Sequence, residues 1–83
     1  MNNILIDIFV PVIAKRYQVL VPYKAAFKTI LPYIERMVQE LSFDAYVPSG
    51  EAILCLSEDG EILDNELSAQ SLGLENGASL FLI

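Results

Sequence analysis

Between residues 4 and 41 the spacing of apolar side chains changes once, and prolines mark the boundaries. Over residues 4–10, Ile4, Ile6, Ile8 and Val10 fall on one face and Leu5, Asp7 and Phe9 on the other. That two-residue period is the signature of a half-buried strand. Pro11 ends the run, because proline has no N–H to give to a ladder. Residues 16–21 alternate again and place Tyr17, Val19 and Val21 together, and Pro22 closes this second run. Only Pro11–Lys15 separates the two, so an antiparallel hairpin is the economical connection.

From Tyr23 to Leu41 the period lengthens. Phe27, Ile30, Leu31, Ile34, Val38 and Leu41 follow one another at steps of three and four, with Lys28, Glu35, Arg36, Gln39 and Glu40 away from that stripe. This predicts an amphipathic helix with one face to cover. Pro32 interrupts it, at a cost of about 3 kcal/mol or more inside a helix. Either one helix kinks there, which is the reading preferred, or a first turn ends near Leu31 and a second helix starts with Pro32 at its first position.

The remainder reads as short pieces. Residues 42–51 form a loop, Ala52–Ser57 is apolar enough for a buried strand, and Glu58-Asp59-Gly60-Glu61 is a turn before a short extended piece at Ile62-Leu63. Asp64–Ser71 is expected to be turn or a single helical turn. Asn76-Gly77 is a strong turn signal before a last strand, Ser79–Ile83. The chain carries no repeat, linker or low-complexity segment. The order predicts an α+β fold, with one helix packed across one face of a mixed sheet of four to five strands.

Composition narrows the function. The 83 residues leave room for one domain, 1–83, and 54% are hydrophobic, too apolar for a disordered acidic tail. There is no His, so the usual general base and the commonest metal ligand are missing. One cysteine, Cys55, excludes an internal disulfide, a zinc cluster and an iron–sulfur site. Five cations against eleven acids argue against nucleic acid as a partner. No stretch reaches 18 apolar residues and no secretory signal is evident, so a cytoplasmic protein without membrane insertion is expected. No catalytic residue, metal ligand or cofactor site is assigned. Charge is uneven: residues 1–41 carry a net +2 and residues 42–83 a net −8. The plain reading is solvated charged faces; the sharper one is an acidic surface that steers a basic partner. The acids Glu58, Asp59, Glu61, Asp64 and Glu66 lack the alternating ligands of a calcium loop and read as a solvated turn.

The C-terminal third, Asp59-Gly60-Glu61-Ile62-Leu63, Leu72-Gly73-Leu74-Glu75-Asn76-Gly77 and Ser79-Leu80-Phe81-Leu82, resembles the ubiquitin-like β-grasp superfamily. In that pattern Leu72 and Leu74 plug the bottom of the core, and Gly73 and Gly77 permit turns that side chains would obstruct. Within the superfamily, Tyr17-Gln18-Val19-Leu20-Val21-Pro22 is similar to the second strand and proline exit of the small YukD/EsaB-like proteins of Gram-positive bacteria. That resemblance implies an accessory or regulatory interaction module of type VII (WXG100) secretion, with a secretion-system membrane component as partner. The alternative is a stand-alone structural domain or homodimer of an unrelated assembly. Conjugation and sulfur transfer, which need a Gly-Gly tail in this superfamily, are not expected of a sequence ending Leu80-Phe81-Leu82-Ile83.

The final strand supplies the candidate site. If Leu80 and Leu82 face the helix-covered core, Phe81 and Ile83 face the other side. Exposed there, they would form an apolar patch for a protein partner or a second copy, with Leu20 and either Cys55 or Leu54 as neighbours, depending on register.

Overall fold

The computed structural model describes residues 2–83. Strand β1 (Asn3–Val10) runs through a single 3-10 turn, Pro11–Ile13, into β2 (Lys15–Pro22). Helix α1 (Phe27–Leu41) follows, then β3 (Leu54–Leu56), the one-turn helix α2 (Ala69–Leu72) and β4 (Ala78–Leu82). The sheet order is β2-β1-β4-β3, antiparallel at both sides and parallel where β1 meets β4 in the middle.

The alternation in β1 sets the core. Ile4, Ile6, Ile8 and Val10 are fully buried, and Val19, Val21, Leu80 and Leu82 join them from the flanking strands. Phe27, Ile30, Ile34 and Val38 cover this surface from α1. Each such side chain contributes about 1.5–3 kcal/mol by leaving water. Leu72 and Leu74 pack at the margin of the same core. Gly73 and Gly77 hold positive φ angles of 71° and 87°, the conformation in which glycine pays no side-chain penalty.

The helix begins at Phe27 rather than at Tyr23. Ala26, immediately before it, is extended and pairs with Ser68. The N–H groups of Phe27 and Lys28 donate to the carbonyls of Leu67 (3.0 Å) and Asn65 (2.7 Å), so backbone satisfies the helix start in place of a capping side chain. Pro32 lies inside α1, which continues through it as one helix. Proline there takes the usual partner from the Lys28 carbonyl, and both residues are exposed, so water can replace it.

The third strand is shorter than Ala52–Ser57, and the piece at Ile62-Leu63 is reduced to a bridge between Cys55 and Ile62. The Leu56 N–H donates to the Glu61 carbonyl (2.9 Å) and the Leu63 N–H to the Leu54 carbonyl (2.8 Å), so residues 61–63 cover the outer edge of β3. Residues 42–51 carry no regular element except turns, yet Tyr46 within them is buried against the core. Among the acids, Asp59 and Asp64 each accept from the backbone N–H two residues on, at 3.0 and 3.1 Å. These bonds shape their turns.

Candidate protein-interaction face

Helix α1 covers one face of the sheet, and the register fixes what stands on the other. Phe9 lies opposite Arg16 on β2 and beside Phe81 on β4, and Phe81 lies opposite Cys55 on β3. Directly opposed residues share a face. Arg16, Phe9, Phe81, Cys55 and, through its bridge to Cys55, Ile62 therefore form one row across all four strands. Ile53 and Ile83 exchange backbone hydrogen bonds of 2.9 Å and extend the same surface below Cys55 and Phe81.

The row has a graded character. Phe9 and Phe81 meet edge to face, with ring centroids 5.9 Å apart, and both are half-buried. The Arg16 guanidinium sits 5.3 Å from the Phe9 ring centre, within cation–π range. It also donates to Oδ2 of Asp7 (3.2 Å), and the Ser79 hydroxyl reaches the same oxygen at 3.5 Å. Asp7 Oδ1 is buried and has no hydrogen-bond partner. Ile83, Ile62 and Ile53 are exposed at the other end. The patch is thus apolar across β4 and β3 and closed by one ion pair on β2.

Two of the four residues expected here occupy the predicted position: Phe81 is half-exposed on the open face and Ile83 is exposed beside it. Cys55 is corrected. It shares the face with Phe81 in register but is only 4% exposed, so it lies beneath the patch and offers a partner no surface. Leu20 is exposed and on this face, but it pairs with Leu5, two register steps away from the aromatic row. The polar row of Gln18, Asp7 and Ser79 stands between them. Phe9, Arg16, Ile53 and Ile62 are the residues that sequence reasoning passed over. Alternation already placed Phe9 opposite the core; only the β1–β4 register brings it to Phe81.

This arrangement, a hairpin and a parallel central pair under one main helix, can be compared with solved structures. The ubiquitin-like domain of the type VII secretion system protein ECCD1 of Mycobacterium tuberculosis superposes with a TM-score of 0.81 over 100% of this chain and 99% of that one, at 14% identity. The fold is the ubiquitin-like β-grasp. The ubiquitin-like domain of EccD5 from Mycobacterium xenopi gives a TM-score of 0.76 at 20% identity, covering 100% of this chain and 94% of that one. A chain of the ESX-5 inner membrane complex gives 0.73 at 18% identity, covering 100% of this chain and 21% of its own. No protein-family model matches the sequence, and no curated protein does. In this β-grasp the aromatic row is carried by the uncovered face of the sheet, and among the described residues no group of side chains is arranged to hold a metal ion.

Proposed function

We propose that this chain is a non-catalytic protein-interaction module of the cytoplasm, serving as an accessory or regulatory component of a type VII-like secretion apparatus. Its partner is a membrane component of that apparatus, received on the open face of the sheet. The observation that carries the reading is the Phe9–Phe81 pair, half-exposed in a continuous apolar surface with Ile53, Ile62 and Ile83. Aromatic side chains that rest half-buried on a rigid sheet supply contact area with little further loss of conformational freedom. The likeness to ubiquitin-like domains of type VII secretion proteins supports the choice of apparatus. No helix among the described residues is long and apolar enough to cross a membrane.

Affinity purification of the tagged protein from its native cytoplasm, beside the Phe81→Asp variant, tests this. A secretion ATPase or membrane subunit retained by wild type and lost from the folded variant is the expected result. Equal recovery with both proteins would move the site elsewhere. Recovery of the protein alone, as a dimer, would refute the secretion role.

A further inference from the structure

Charge is divided unevenly along the aromatic row, from the β2 edge of the sheet to the β3 edge. Of the five cations, Lys28 and Arg36 lie on α1 and pair with Glu66 and Glu40. Lys15 stands opposite the buried Val10 and so shares the helix-covered face. Lys24 follows β2, at the edge of the sheet farthest from β3. Within the strands Arg16 alone stands on the open face, and its guanidinium is held 3.2 Å from Asp7 Oδ2. The β2 end of the row is therefore close to neutral.

The β3 end is acidic. Glu51 lies two residues before Ile53, Glu61 directly precedes Ile62, and Glu58 and Asp59 stand in the turn that joins β3 to them. All four are exposed, and none has a Lys or Arg partner among the described residues. Residues 42–83 contain no Lys or Arg at all. These acids belong to the same segments that expose Ile53 and Ile62, the latter 68% accessible, with Ile83 hydrogen-bonded alongside. From β2 to β3 the row crosses three inter-strand spacings, about 14 Å. Over that length it passes from one closed ion pair to four carboxylates without a cation.

We infer that the partner of the open face is a basic protein surface, with apolar side chains over Phe9, Phe81 and the isoleucines and with lysine or arginine at its β3 side. This rests on the reading of the open face as the docking surface and adds the partner's charge and orientation. Complementary charge at a rim speeds encounter and fixes which way round a partner sits. A second copy of this chain is opposed by the same charges. Its net charge is −6, and the one guanidinium on its open face is already paired.

The test follows the isotope-labelled full chain by NMR with the probe peptide acetyl-Trp-Leu-Ala-Leu-Lys-Lys-Lys-amide, beside the same peptide with Glu in place of Lys. The basic peptide is expected to shift the amides of Phe9, Phe81, Ile53 and Ile62 and to bind more tightly than the acidic one. The double variant Glu51→Lys, Glu61→Lys should weaken the basic peptide about tenfold and favour the acidic one. Among the described residues only the backbones of Glu51 and Glu61 are hydrogen-bonded, so this variant keeps the fold. The double variant Glu40→Lys, Glu75→Lys makes the same change in net charge away from the row and should alter binding less than twofold. Equal effects of the two variants, or equal affinity of the two peptides for wild type, would overturn the basic partner while shifts along the row still supported the docking face. Shifts away from the row, or no binding of either peptide at millimolar concentration, would overturn both readings. Concentration-dependent shifts of the row without peptide would mean that a second copy occupies the face, and would likewise overturn the proposal.

Discussion

The Tyr46 hydroxyl donates to Oε2 of Glu35 across 2.8 Å, and both side chains are buried. This bond fastens the loop after α1 to the helix itself. Around it, Ser42 Oγ donates to the Gln39 carbonyl and accepts from the Tyr46 N–H, while Phe43 and Asp44 take positive φ angles to turn the chain back. Removing the hydroxyl in Tyr46→Phe leaves a buried carboxylate oxygen without its donor, at a cost of about 1–3 kcal/mol. Chemical denaturation at neutral pH should show that loss with the slope of the transition unchanged.

The same bond predicts a dependence on alkaline pH. Burial, then the hydrogen bond to Glu35 and its negative charge, raise the Tyr46 pKa well above the ordinary 10.0. The folded protein therefore holds the phenol proton where the unfolded chain releases it. The stabilisation is complete below pH 10 and is lost as pH rises from there toward the folded pKa. Unfolding free energies measured from pH 9 upward should fall more steeply for wild type than for Tyr46→Phe; parallel curves would contradict the assignment.

Pro32 should be a site of easy stabilisation. Its replacement by alanine restores a donor to the Lys28 carbonyl and removes the ring from the helix interior, offset by a more flexible unfolded chain. Pro32→Ala is expected to raise stability by about 1–3 kcal/mol. For a chain of this size each kcal/mol shifts Tm by about 4–8 °C, which thermal denaturation resolves.

The turn before β4 holds the central parallel pair in register. Asn76 Oδ1 accepts from the Leu5 N–H (2.9 Å) and the Gly77 N–H donates to the Leu5 carbonyl (2.8 Å). Asn76→Ala should cost about 0.5–1.5 kcal/mol. Gly77→Ala meets no neighbouring atom but forces alanine to a φ of 87°, for a further penalty of about 1–2 kcal/mol. Amide exchange of Leu5 should accelerate in both variants before that of Ile8.

Cys55 is buried under the open face, so it should be slow toward thiol reagents in the native state and fast once the protein is denatured. A reaction with Ellman's reagent that is rapid without denaturant would show that the Ile62 bridge opens readily.

Much of the fold is legible in the chain because it is written in local period. The alternation of β1 and β2, the three-and-four spacing of α1, the prolines at 11 and 22 and the Asn76-Gly77 turn each act over a few residues, and each emerges in its place. The start of α1 escaped that reading because its first donors are satisfied by carbonyls of Leu67 and Asn65, some forty residues away. Tyr46 escaped it because a lone tyrosine in a polar loop has no period; only its meeting with Glu35 makes it core. The site divides in the same way. Period two alone determined that Phe81 and Ile83 turn away from the core, and that Phe9 does so too. Which of these side chains stand together, and that Cys55 sinks out of reach while β2 keeps an open edge, were decided by strand order and register. Those are properties of pairing between distant segments, and a one-residue slip would exchange every face.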